Sequence, residues 1–326
     1  MRKINGVPVE AHTDLSSLTG GEVLKWDATN TLMAWEDQDA VSYVPIWYGD
    51  RGVFAGGIDG ATTYDVIDYI NITSTGDASD FGNLTAAAET MGACSSGTLG
   101  MFATGTLLDY ITIATTGNAT DFGDDLVSTQ TFKGGCSNGT RGLFAGGAQS
   151  DAIDYLTIAT SGTVYDFGNL TVSRRLNGGC SNGTRGMFGG GYDGSSSNVI
   201  DYVTIDTTGD ATDFGNLTLA RHYPSCCSDS TRAVWVGGSS ATNIMDYVTM
   251  STPGNATDFG DLTVGRAALS ATSNNTTGVM GSGNEASAGT TASTVIDYIT
   301  IQTTGNATDF GDITVEREQI TATAGD

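Results

Sequence analysis

Histidine and proline are almost absent from this 326-residue chain, with two and four copies, and acidic residues outnumber basic ones 37 to 13. The formal charge of −24 argues against a phosphate-binding surface, because nucleic-acid affinity rests on Lys and Arg neutralising phosphates. With only His12 and His222 available, no Ser/His/Asp, Cys/His or metal-ligand spacing can be assembled. No apolar run approaches the roughly 18 residues of a membrane span, and the basic start Met1-Arg2-Lys3 has no apolar stretch of signal-peptide type behind it. The expectations are a chain without a leader, membrane insertion, nucleic-acid partner or cofactor, and without enzymatic activity. Helix signals are lacking too. What is abundant is glycine, 46 copies, among short runs of Thr, Ile, Val and Tyr, which favours many short strands closed by turns.

Those runs repeat. Six copies of Asp-Tyr, beginning at Asp68, Asp109, Asp154, Asp201, Asp246 and Asp297, are each followed 12 residues later by Asp-Phe-Gly, and successive copies start 41, 45, 47, 45 and 51 residues apart. A period of roughly 40 to 50 residues is that of propeller blades. In the third copy, Gly134-Gly135-Cys136-Ser137 leads through Asn138-Gly139 into Arg141-Gly142-Leu143-Phe144-Ala145-Gly146-Gly147. Ile153 to Ile158 and Tyr165 to Thr171 follow. Asn-Gly between two strand-like runs is a strong hairpin signal, so each copy predicts four antiparallel strands. The runs are apolar on both faces, as expected when every small sheet is sandwiched between two others.

The motifs read as architecture. Asp-Phe-Gly occurs without a kinase Gly-rich loop, strand lysine or catalytic loop, and aspartates spaced identically in all copies serve the frame. The sequons at Asn71, Asn118, Asn138, Asn182 and Asn306 recur because the turns recur. Cys94, Cys136, Cys180 and Cys227 occupy one equivalent position. If equivalent strands stack about 10 Å apart, disulfides are out of reach, and these cysteines are small buried residues. Cys226 is expected on the opposite face of its strand.

The pattern resembles the kelch family of β-propellers. An Arg opens strand one (Arg174, Arg221, Arg266, Arg317), Gly-Gly closes strand two (Gly56-Gly57, Gly146-Gly147, Gly190-Gly191, Gly237-Gly238), a Tyr sits in strand three and an aromatic in strand four. The resemblance covers about residues 41 to 326, although Asp-Tyr stands for Tyr-Asp, Phe replaces Trp, and Ala103-Thr104-Gly105 and Gly281-Ser282-Gly283 depart from the Gly-Gly pattern. It implies an all-β, six-bladed kelch-like propeller over 41–326, closed by a surplus strand at 317–326 that pairs with residues 51 to 57. The rival first strand, Tyr43 to Tyr48, contains Pro45 and suits an edge better.

Residues 1–40 stand outside the repeat and read as an N-terminal β-hairpin arm carrying Trp26 and Trp35. The Leu-Ser-x-Leu, Gly-x-Val-Leu-x-Trp and x-Trp elements of this arm resemble short modules of tailed-bacteriophage fibre and other virion proteins. The Gly/Thr-rich repeats resemble those of marine and cyanobacterial phage structural proteins. That resemblance implies a multi-copy virion component whose residues 1–40 bind other virion proteins, with a host-surface glycan or protein as the further partner. Length variation between copies is confined to the strand-two-to-three loops, with intervals of 11, 4, 7, 10, 8 and 14 residues, and variation on one face of a repeat protein often marks a binding face. The candidate binding residues there are Asp59, Tyr64, Asp65, Tyr192, Asp193, Asn284 and Glu285. A Ca²⁺ role for the loop aspartates is weighed below a purely solvated one. Two alternatives stay open, a capsid head-fibre or decoration protein and a glycan depolymerase.

Overall fold

The computed structural model describes residues 48–103, 105, 107–123, 134–148, 150–159, 163–285 and 292–326 in full, and 3–4, 7–8, 22–27, 32–37 and 104 by backbone. The chain separates into two compact units, Met1–Val44 and Pro45–Asp326. In the first, Lys3–Ile4 pairs with Val7–Pro8, and Glu22–Asp27 pairs antiparallel with Leu32–Asp37, Leu24 facing Trp35 and Trp26 facing Met33. The rival strand at 43–47 lies outside the described residues.

The second unit is a six-bladed β-propeller, all-β and without helices among the described residues. Each blade is a four-stranded antiparallel sheet, and in blades two to six the strands run in chain order from axis to rim. Blades two to six begin with the innermost strands Gly92–Ser95, Gly134–Ser137, Gly178–Ser181, Ser225–Ser228 and Ser270–Ser273. In the first blade the innermost strand is Thr321–Gly325, which pairs antiparallel with Arg51–Ala55, Thr321 opposite Ala55 and Gly325 opposite Arg51. Asp50 N donates to Asp326 Oδ1 at 2.8 Å beside this pairing. The ring is therefore closed by strands from the two ends of the propeller, which leaves no sheet edge open at the seam.

Six apolar clusters form between blades, and each draws on two neighbours. One combines Val53, Ile67 and Phe81 of the first blade with Phe102, Ile111 and Ile113 of the second. Burial on both faces explains why third strands such as Val66–Asn71 bury Ile67 and Asp68 in succession. It also explains the motifs. Tyr69 packs edge-on to Phe81 at 6.0 Å, while the glycine after Phe81 admits the next blade, whose Gly117 N donates to Phe81 O at 2.8 Å. A Cβ on Gly82 would lie 2.3 Å from Gly117 O, so no larger residue fits there.

Buried ion pairs cross four seams. Arg174–Asp201, Arg221–Asp246, Arg266–Asp297 and Arg317–Asp68 approach to 3.0, 3.0, 2.6 and 2.8 Å with side chains wholly buried. These arginines do not open strand one as the kelch resemblance implied. They lie in the connections four residues ahead of the innermost strands, and Arg317 ends the outermost strand Thr308–Arg317. From there each guanidinium reaches backbone carbonyls as well as its carboxylate, for example Arg174 to Phe188 O and Arg221 to Trp235 O. That placement supplies only part of what a buried charge needs, since Nε and Nη1 of Arg174 and Arg221 and Nε of Arg266 have no hydrogen-bond partner. Threonine hydroxyls from the same connections donate to the same carboxylates, as Thr171 does to Asp201.

On the turn-bearing face a second set of arginines crosses the seams. Arg51, Arg141, Arg185 and Arg232 donate to Ile113 O, Ile205 O, Met250 O and Ile301 O of the next blade. Each also lies over the tyrosine of its own blade, at 4.2 to 4.8 Å from the ring centre, a favourable cation–π placement.

The cysteines are all unbridged and buried, but the spacing argument for that outcome fails near the axis. Blades converge there, and innermost strands approach within 8 Å between Cα atoms. Equivalent cysteines of successive blades are separated by direction, whereas Cys226 lies within hydrogen-bond reach of Cys180. Cys94, Cys136 and Cys227 each point at a glycine of the next blade, where a Cβ on Gly142, Gly186 or Gly278 would lie 2.5, 2.7 or 2.6 Å from the sulfur. Cys226 faces the fourth blade with Cys180, while Cys227 faces the sixth. Burial pushes the Cys94, Cys136, Cys226 and Cys227 thiols well up.

Candidate functional site: the loop-bearing face and the channel mouth

Strand direction puts the strand-two-to-three loops and the blade-to-blade connections on one face, and the tight turns on the other. The axial channel runs between them. Toward the turn-bearing face a serine from each of five innermost strands donates to the preceding strand's carbonyl. Ser95 reaches Ala324 O, Ser137 reaches Ser95 O, Ser181 reaches Ser137 O, Ser228 reaches Ser181 O and Ser273 reaches Ser228 O, at 2.5 to 2.8 Å. Ala324 holds the sixth equivalent position and has no hydroxyl to give. Tyr48 lines this end of the channel, a cavity of about 80 Å³, and burial beside Asp229 raises its phenol pKa.

The other end opens at the loop-bearing face as a cavity of about 100 Å³. Around it stand Thr90, Leu176, Tyr223, Ala268 and Gln319, one from each described connection, all with left-handed backbone at φ 55° to 61°. Left-handed geometry costs a non-glycine residue on the order of 1 kcal/mol or more. The return is visible in the hydrogen bonds. Thr90 N donates to Gln319 O, Gln319 N to Ala268 O and Tyr223 N to Leu176 O, each at 2.9 Å, so the conformation turns the amides tangentially and ties one blade to the next. The backbone of the mouth is thus uniform while its side chains differ in chemistry. The preceding residues differ as strongly, being Glu89, Arg175, His222, Ala267 and Glu318.

Between the fourth and fifth blades these side chains cluster. His222 Nδ1 lies 3.0 Å from Ser196 Oγ, and its ring meets Tyr192 edge-on at 5.3 Å and Tyr223 at 5.5 Å. Arg175 covers the Tyr192 ring at 5.3 Å. Burial, then the Arg175 charge, holds the His222 imidazole below its usual value, and the ring is a packed, hydrogen-bonded group.

The loop residues singled out from the sequence are distributed over three blades and are not brought into one site. Asp59 is exposed on a small hairpin, Ile58–Asp59 paired with Thr62–Thr63. Tyr64 and Asp65 are half-buried where the loop rejoins the frame, Tyr64 N donating to Gly57 O and Asp65 O accepting Leu84 N. Tyr192 is packed as described, and exposed Asp193 accepts Ser195 N and Oγ in a local turn. Asn284 bridges Ala267 and Ala292 through its backbone, and Glu285 accepts Ser293 Oγ at 2.6 Å. Among the described residues no three His, Cys, Asp or Glu side chains converge as metal ligands would. Sequence reasoning missed the mouth. Its signal was there: at a constant distance ahead of every innermost strand, an otherwise repetitive sequence changes chemistry from copy to copy.

No known family model matches the chain, and no curated protein matches it.

Proposed function

We propose that the protein is a non-enzymatic structural component of a tailed-bacteriophage virion, a tail-fibre or baseplate-associated propeller that contacts the host surface with its loop-bearing face. The observation that carries this reading is the division within the repeat. Residues that recur in the copies are used up in the seams, while loop length and mouth chemistry vary together on one face. Variation gathered on one face of a repeat protein often marks its binding face. Supporting it, the propeller's own chain ends meet at the opposite, turn-bearing face, where Asp50 bonds to Asp326 and Asp326 N to Gly97 O. The segment resembling virion attachment modules also contains the paired strands Glu22–Asp27 and Leu32–Asp37.

Immunogold labelling of virions together with adhesion of the purified protein to host cells tests the proposal. Label at the tail and saturable adhesion are expected. Label over the capsid without adhesion would transfer the protein to a decoration role. Deleting residues 1–40 is expected to leave a folded propeller that is absent from particles, and normal incorporation of that truncation would contradict an attachment arm.

A further inference from the structure

On the turn-bearing face the repeat builds a receptacle for a guanidinium at the seams, and one receptacle stands without its arginine. Arg51, Arg141, Arg185 and Arg232 each lie 4.2 to 4.8 Å over the tyrosine of their own blade. Each also donates Nη1, at 2.6 to 2.9 Å, to the carbonyl of Ile113, Ile205, Met250 or Ile301 in the next blade. The second and sixth blades hold Leu99 and Thr277 at this place, opposite Thr112 and Thr300 as Arg185 is opposite Thr204. Leu99 fills its place, packing with Tyr110 on the apolar cluster that joins blades two and three. Thr277 is half-buried and too short to cover a ring.

The rest of the receptacle between blades six and one is intact. Tyr298 meets Phe310 at 6.0 Å and 77°, the values found for Tyr69 and Phe81 beneath Arg51, so the ring is held as it is where an arginine covers it. Ile72 O, the equivalent of Ile113 O, accepts no hydrogen bond among the described residues, while Ile72 N donates to Asp50 O at 2.7 Å. Asp50 spans the seam, because its exposed carboxylate accepts Asn274 Nδ2 at 2.8 Å from the turn ahead of Thr277. A guanidinium stacks on a ring and donates in its own plane at once, whereas an ammonium is a compact point charge. The net charge of −24 draws basic partners to the chain. We infer that this seam is a docking point for a partner protein, which inserts one arginine side chain over Tyr298, donating to Ile72 O beside Asp50. The partner completes from outside the contact that four other blades make from within, and it leaves the loop-bearing face free.

NMR titration of the full chain carrying isotope-labelled tyrosine tests this, with Tyr298 assigned from Tyr298→Phe. The probes are end-blocked Gly-Arg-Gly, Gly-Lys-Gly and Gly-citrulline-Gly. The arginine peptide is expected to shift the Tyr298 ring resonance saturably and to bind about tenfold more tightly than the citrulline peptide, the scale of one hydrogen bond from a charged donor. The lysine peptide should fall between them. Thr277→Arg supplies the guanidinium from within, so it should raise the melting temperature and abolish the shift. Asp50→Asn should weaken the arginine peptide, and Asp59→Asn, which removes an exposed charge on the opposite face, should leave it unchanged. A Tyr298 resonance unmoved by the arginine peptide, lysine or citrulline peptides that bind as well, or binding that survives in Thr277→Arg would overturn the inference.

Discussion

The seam between blades four and five and the seam between blades one and two use the same repeat and differ at its arginine position. At the former, Asp246 is wholly buried and receives Arg221 Nη2 at 3.0 Å and Thr218 Oγ1 at 2.5 Å. At the latter, Asp109 is equally buried and receives Thr85 N and Oγ1 at 2.8 and 2.7 Å, but the arginine position holds Ala88. Burial without a cation is tolerated there, which shows that the invariant part of this motif is the Thr–Asp clasp that joins a connection to the next blade. The arginine adds a charge that desolvation opposes: burial holds Arg174, Arg221 and Arg266 below their usual values, against the pull of their aspartates. A buried pair of this kind contributes little net stability while it is intact and a large penalty when it is halved.

The widest separation between the two seams comes from halving the pair. Arg221→Ala strands Asp246 in the seam and is expected to cost about 3–5 kcal/mol, read from denaturant unfolding. No equivalent loss can be produced at Ala88, and a cost below about 1 kcal/mol for Arg221→Ala would show that solvent reaches the pair.

Next in size is the glycine that receives a cysteine. Gly186→Ala should cost about 1–3 kcal/mol by overpacking against Cys136 Sγ, with much of the loss recovered when Cys136→Ala is added. Seam four–five already holds Ala233 at this place, so an unrecovered loss would mean that backbone freedom, not space, decides the residue.

Asp109→Asn keeps an acceptor for Thr85 and removes an unpaired charge, so its unfolding free energy should stay within about 1 kcal/mol of the parent. Asp246→Asn, which leaves Arg221 buried opposite a neutral amide, should lose several times more.

The smallest effect is electrostatic and pH-dependent. The raised folded-state value of Glu89 means the folded protein holds that proton more tightly than the unfolded chain. The cost is absent in acid, below the ordinary glutamate range, and is fully present once pH rises above the raised value. Glu89→Gln should therefore melt with the parent at acid pH and slightly above it at neutral pH. The reverse order would contradict the crowded, desolvated rim.

Why the frame was readable and the mouth was not follows from what repetition records. Asp68, Tyr69, Phe81 and Gly82 recur because each is constrained by a neighbouring blade: a buried carboxylate partner, a ring edge, and a backbone that leaves no room for a Cβ. The closing strand was legible because the last copy stops where Arg51 begins. The left-handed connections carry no glycine to announce them. Thr90, Leu176 and Tyr223 share a backbone conformation imposed by hydrogen bonds between blades, which single residues do not advertise. For the same reason Tyr192 read as a loop aromatic, whereas its backbone pairs with Arg175 and its ring packs on His222. The distance assumed between equivalent cysteines suits sheets packed at mid-blade and fails where blades converge on the axis.

The central claim is that the repeated residues hold the ring together and the loop-bearing face makes the contact. Adhesion of the purified protein to host cells, compared at 25 °C for the double charge reversal Asp59→Lys, Asp193→Lys and for Arg51→Met, tests it most directly. Both aspartates are exposed on the loop-bearing face, and Arg51 ties Ile113 O on the other. The account predicts that the loop reversal lowers adhesion with the melting temperature unchanged, and that Arg51→Met lowers the melting temperature with adhesion intact. Adhesion indifferent to the loop reversal, or lost in a still-folded Arg51→Met protein, would contradict it.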